Sequence, residues 1–72
     1  MKTNYQITEQ QIKRGNGYGQ YIITGIVDGV EVKTITTDSE AFDWFNDDSN
    51  EEKHEEAVNH VNMKLEIAFE NM

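Results

Sequence analysis

The sequence predicts an α+β domain: a three-stranded antiparallel β-meander followed by one short and one long α-helix packed on one sheet face (βββαα). Three observations predict it. The first half alternates β-branched and polar residues around two tight-turn signals, Asn16-Gly17 and Asp28-Gly29. Two helix-start signatures then follow in quick succession, Thr37-Asp-Ser-Glu40 and Ser49-Asn-Glu-Glu52. Beyond them, apolar residues recur with a helical period to the last residue.

Residues 3–13 read as the first strand, polar enough to lie at an edge. Tyr5 and Ile7 share a parity that Ile12 does not, so the strand either carries a bulge or exposes some apolar side chains. Residues 14–19 form a glycine-rich turn in which Asn16-Gly17 suits the positive φ angles of a tight hairpin, loosened by the flanking glycines. Residues 20–27 are the most apolar and β-branched, hence the central strand. Residues 30–37 make the third. A two-residue Asp28-Gly29 turn sets Val27 opposite Val30, Gly25 opposite Val32 and Ile23 opposite Thr34. Tyr21, Ile23, Val27, Val30 and Val32 then share one face. Ile22, Ile26 and Ile35 share the other, with Thr24 and Lys33.

The short helix carries Ala41, Phe42, Trp44 and Phe45, and Asn46-Asp-Asp48 ends it. Core packing explains Phe42 and Phe45; Trp44, beside Asp43, belongs at a rim. At about 100° per residue, the long helix gathers Ala57, Val58, Val61, Leu65, Ala68, Phe69 and Met72 in one arc, which packs on the sheet. Glu52, Glu55, Glu56, Asn59, Met63, Glu66 and Glu70 take the opposite arc.

The 72 residues amount to a single domain (1–72), small enough that its core is thin and a partner subunit would help it. Cysteine is absent, which excludes disulfides and thiolate zinc sites. No apolar run approaches the roughly 20 residues needed to span a bilayer, and no signal core opens the chain, so no membrane role and a cytoplasmic location are expected. Net charge is −8 and unevenly placed. Residues 1–37 set four basic residues against three acids; residues 38–72 set eleven acids against Lys53 and Lys64. Direct nucleic-acid binding, which needs Lys and Arg for phosphates, is not expected; attraction to basic surfaces is.

Catalytic chemistry finds no carrier, and no enzyme activity is expected. Ser39 and Ser49 are helix-start residues with no histidine base nearby. His54-Glu-Glu-Ala-Val58 lacks the second histidine of a His-Glu-x-x-His zinc motif, and His54 and His60 point about 240° apart on the helix. Asp47-Asp-Ser-Asn-Glu51 lacks the glycine and ligand spacing of a calcium loop. The glycines near Lys13 and Arg14 lead into a strand, whereas a phosphate loop leads into a helix. No cofactor or metal is expected.

Two surfaces remain. The first is acidic: Asp38, Glu40, Asp43, Asp47 and Asp48 around the short helix, then Glu51, Glu52, Glu55 and Glu56 opening the long one. Like charges at i, i+3 and i+4 cost helix stability, and interleaved lysines would have relieved them. That a sequence keeps them points to an imposed surface, while plain solubility is the competing explanation. The second is the isoleucine face, Ile22, Ile26 and Ile35, joined without a bulge by Tyr5 and Ile7, with Tyr18 as an exposed contact residue nearby. A homodimer through this face is the expectation attached to it.

Three antiparallel strands, then Thr-Asp-Ser-Glu-Ala-Phe-Asp-Trp-Phe (37–45), then an acidic helix: this order resembles certain small phage-encoded anti-CRISPR proteins. Those are short, cysteine-poor, acidic α+β chains, some of which act as DNA mimics by presenting carboxylates where a nuclease complex expects phosphates. The resemblance implies an inhibitor or adaptor whose partner is a basic, nucleic-acid-binding protein or complex. The alternative is a structural or assembly protein that self-associates through the apolar sheet face.

Overall fold

The structure, a computed structural model, describes residues 5–17 and 19–72. Thr3 and Asn4 of the expected first strand, and Tyr18, lie outside the described residues. Five elements follow in the predicted order: β1 (Ile7–Arg14), β2 (Tyr21–Val27), β3 (Val30–Thr36), α1 (Ser39–Phe45) and α2 (Glu51–Glu70). The strands form one antiparallel sheet in the order β1-β2-β3, and both helices pack on one of its faces. The α+β βββαα arrangement is as expected.

The β2–β3 register is the predicted one: Val27 opposite Val30, Gly25 opposite Val32, Ile23 opposite Thr34. Its cause is the Asp28-Gly29 turn, whose φ values of 50° and 80° match the twist of the flanking strands. The turn is also tied to the start of the sheet. Gln6 N–H donates to the Asp28 carboxylate at 2.8 Å, and Asp28 N–H donates to the Gln6 carbonyl at 2.7 Å.

The parity conflict in β1 is resolved by a bulge. Ile7 pairs with Val27 but Glu9 with Ile26, so an extra residue lets Ile7 and Ile12 both face the core. Tyr5 and Ile7 therefore pack against the core and leave the isoleucine face. The bulge explains Gly25 as well. A Cβ there would meet the Glu9 carbonyl oxygen and sit 2.6 Å from Leu65 Cδ1. Gly25→Ala is expected to cost about 1–3 kcal/mol by overpacking, read as a lower denaturant midpoint; an unchanged midpoint would mean that strand and helix can separate there freely.

Ile12, Tyr21, Ile23, Val27, Val32, Val61 and Leu65 form the buried core. Phe42, Phe45, Ala68 and Phe69 close its edges. Tyr21 stacks on Phe42 with ring centroids 4.6 Å apart, and the Arg14 guanidinium lies 5.1 Å from the Phe42 centroid. Tyr5 meets Phe69 edge-on at 5.1 Å and donates its hydroxyl proton to Glu70 Oε2 at 2.9 Å.

Several local expectations are corrected. The strands run Ile7–Arg14, Tyr21–Val27 and Val30–Thr36 rather than 3–13, 20–27 and 30–37. The first connection is no tight Asn16-Gly17 hairpin; it closes between Gly15 and Gln20, and among its described residues the positive φ falls on Gly19. The helix caps are Asp38 and Asn50, one residue later than the Thr37 and Ser49 of the sequence signatures. Met72 is 75 % exposed, because α2 ends at Glu70 and the chain leaves the helical arc. Among the described residues, no helix is long and apolar enough to cross a membrane.

Candidate functional site

The junction of α1 and α2 is built on a chain of polar contacts. The Asp38 carboxylate accepts the Glu40 and Ala41 N–H groups at 3.0 and 3.1 Å, which starts α1. Asp38 N–H donates to Thr36 Oγ1 at 3.2 Å, and the same hydroxyl lies 2.9 Å from His60 Nε2 on α2. Thr36 is buried, so the sheet end, the α1 cap and α2 are locked together through one hydroxyl. At the other end of α1, His54 Nδ1–H donates to the Trp44 carbonyl at 2.9 Å. The His54 ring lies 6.4 Å from that of Phe45. These two histidines are structural ties: His54 joins α2 to the end of α1, and His60 joins α2 to the end of β3.

Between the helices lies a cleft of about 210 Å³, lined by Asp38, Glu40, Ala41, Trp44, Lys53, Glu56, Ala57 and His60. Ala41 and Ala57 are buried and form the floor, where their small side chains let the helices approach. Trp44 and His60 are half-buried and make the walls; Asp38, Glu40, Lys53 and Glu56 are exposed at the rim. Trp44, expected at a rim, is half-buried and stands in the wall of this cleft.

The structure thus brings three of the nine acidic candidates, Asp38, Glu40 and Glu56, around one concavity. Glu52, one turn before Glu56, extends this side of α2. Glu51 and Glu55 are rotated by about 100° from them and continue the acidic surface around the helix. Asp43 is exposed on α1, and Asp47 and Asp48 lie in the connection. The surface is a ridge around the helix junction. The carboxylates of Glu40, Asp43, Asp48, Glu51, Glu52, Glu55 and Glu56 make no hydrogen bond or ion pair with a described residue.

Two candidates have structural work. Asp38 caps α1. The Asp47 carboxylate accepts Ser49 N–H at 2.9 Å and so shapes the approach to α2. That backbone hydrogen bond, the Ser49 hydroxyl and the charge of His54 hold the Asp47 carboxyl below the 3.8 usual for aspartate. Because its folded value is depressed, the stabilisation from this contact is present above pH 3.8 and is lost as pH falls through the lower folded value. A carboxyl-detected NMR titration is expected to place the Asp47 midpoint below 3.8; a midpoint at or above it would contradict the contact.

On the far side of the sheet, Ile35 is 51 % exposed, and Ile22 and Ile26 are half-buried by their neighbours. Tyr18, placed with them on sequence grounds, lies outside the described residues. Among the described residues, no group of three or more His, Asp or Glu is arranged to hold a metal ion. Comparison with family models, curated proteins and solved structures finds no match to the chain.

Thr36 and the two histidines went unrecognised at the level of sequence, since each finds its partner across a tertiary junction. The alternation of β3 does mark Thr36 as a polar residue on the covered face, which is the one signal that points to it.

Proposed function

We propose that the protein is a small protein-interaction module, an inhibitor or adaptor that docks its carboxylate ridge on a basic, nucleic-acid-binding protein. The observation that carries this reading is a ridge of seven carboxylates without a partner among the described residues, two of which, Glu40 and Glu56, stand at the rim of a cleft with an indole wall. Arginine and lysine side chains that normally hold phosphates would bind these carboxylates instead, through charge-assisted hydrogen bonds. Trp44 adds a face on which a guanidinium can lie. Basic residues engaged in this way are unavailable to nucleic acid, so inhibition follows by occlusion.

The likeness in element order and charge to phage-encoded anti-CRISPR and DNA-mimic proteins supports the same reading. It suggests a nuclease complex, or another machine that grips DNA through Arg and Lys, as the class of partner. The action proposed is binding, with no bond made or broken by this chain.

Competition is the test. Adding the protein to its captured partner is expected to displace labelled nucleic acid in a dose-dependent way. A ternary complex, in which nucleic acid stays bound while the protein binds, would refute occlusion.

A further inference from the structure

The outer face of the sheet carries a pattern that the acidic ridge does not use. Its side chains fall into three cross-strand rows set by the register: Lys13, Ile22 and Ile35 at one end; Gln11, Thr24 and Lys33 in the middle; Glu9, Ile26 and Glu31 at the other. In a chain of net charge −8, this face is neutral, with two lysines balancing two glutamates. The opposite charges are segregated, and each end row holds an isoleucine on β2. Around Ile26 lies a shallow concavity of about 190 Å³, lined by Glu9, Gln11, Thr24, Gly25, Ile26 and Glu31.

We propose that this face is a homodimer interface, occupied by a second copy of the chain. A two-fold axis lying between the sheets and across the strands carries each basic row onto the partner's acidic row. Lys13 of one copy then meets Glu9 of the other, Ile22 enters the concavity around Ile26, and Ile35 packs on the stem of Glu31. Such self-complementarity is what an isologous interface requires. An axis along the strands fails, because it lays the Glu9–Glu31 row on itself. The middle row is self-opposed, but Lys33 sits on edge strand β3, where the roughly 30° rotation between packed sheets carries its charged end toward solvent.

The arrangement also keeps the acidic ridges apart. The helix layers point outward, so two sheets about 10 Å apart and two helix layers each about 10 Å across separate the ridges. That exceeds the Debye length of about 8 Å at physiological salt several-fold. Three strands of this length cover about 300 Å² on each copy. Stable interfaces bury about 800 Å² per partner, so this dimer is weak and forms with rising concentration.

Sedimentation equilibrium from about 20 μM to about 1 mM spans the transition of such an interface. The mean mass is expected to rise from that of one chain toward that of two. Ile26→Lys and, independently, the exposed-site change Ile35→Lys should each weaken the association more than about tenfold. Lys13→Glu should weaken it, and the swap Glu9→Lys with Lys13→Glu should restore it; circular dichroism confirms that each variant is folded. A wild-type chain that stays monomeric throughout, association indifferent to both isoleucine changes, or a swap that fails to restore it would overturn the proposal. None of these outcomes depends on the acidic ridge or its partner.

Discussion

Leu65→Ala is expected to lower the stability of the domain by about 2–5 kcal/mol. Leu65 is fully buried at the point where α2 crosses the sheet over Gly25, and it belongs to the largest fully buried set with Ile23, Val27 and Val61. Its truncation removes contacts on both sides of the layer interface and leaves a cavity. A chain of this length has only about 4–11 kcal/mol of stability in total, so a large fraction of the variant would be unfolded at 37 °C. Denaturant unfolding followed by circular dichroism measures this, and a loss below about 1 kcal/mol would show that the helix is not anchored there.

The second large effect concerns binding. Replacing Asp47 and Asp48 by Asn and Glu51, Glu52, Glu55 and Glu56 by Gln is expected to weaken association with a basic partner by about 100-fold or more. Asn at position 47 retains an oxygen for the Ser49 N–H, so the loop before α2 keeps its shape. Removing the like-charge pairs Glu51/Glu55, Glu52/Glu55 and Glu52/Glu56 should leave the fold as stable or slightly more so. A charge-matched pair, Glu66→Gln away from the junction and Glu52→Gln on the ridge, separates the ridge from net charge: the first should bind nearly as well as the unmodified chain and the second more weakly. Equal loss in both would mean that overall charge, rather than the ridge, attracts the partner.

Much of the fold was legible because its signals are local. Asp28-Gly29 specifies a turn, the turn specifies a register, and the register assigns every residue of β2 and β3 to a face. The period of α2 identified Ala57, Val61 and Leu65 as buried by the same kind of reasoning. What the sequence left open was decided by contacts between distant residues. Ile7 and Ile12 demand opposite parities, and only packing under α2 selects the bulge over exposure. Thr37, Asp38 and Ser39 are all able to cap a helix; the Thr36 hydroxyl, by holding Asp38 N–H, helps to place the cap at Asp38. At the second start, Asp47 captures Ser49 N–H and leaves Asn50 to cap α2.

The acidic ridge divides in the same way. Its members were visible as a run of acids, and their number argued for a surface. Their arrangement was not visible, since the cleft exists only where α1 and α2 come together, with Ala41 and Ala57 both in its lining, His54 bonded to the Trp44 carbonyl and His60 to Thr36. A linear run of charge therefore became a ridge with a shaped centre at Trp44, flanked by Asp38, Glu40 and Glu56. Asp38 and Asp47 acquired structural duties that composition alone does not reveal.

In the proposed function, the ridge grips a basic protein electrostatically. Affinity capture from the cells that carry the gene tests it most directly, run at about 0.15 M and about 1 M salt, where the Debye length falls from about 8 to about 3 Å. The expected result is a basic, nucleic-acid-binding protein that the unmodified chain retains at the lower salt and releases at the higher, and that the six-residue neutral variant does not retain. A partner held equally by both proteins, and still held at the higher salt, would contradict it.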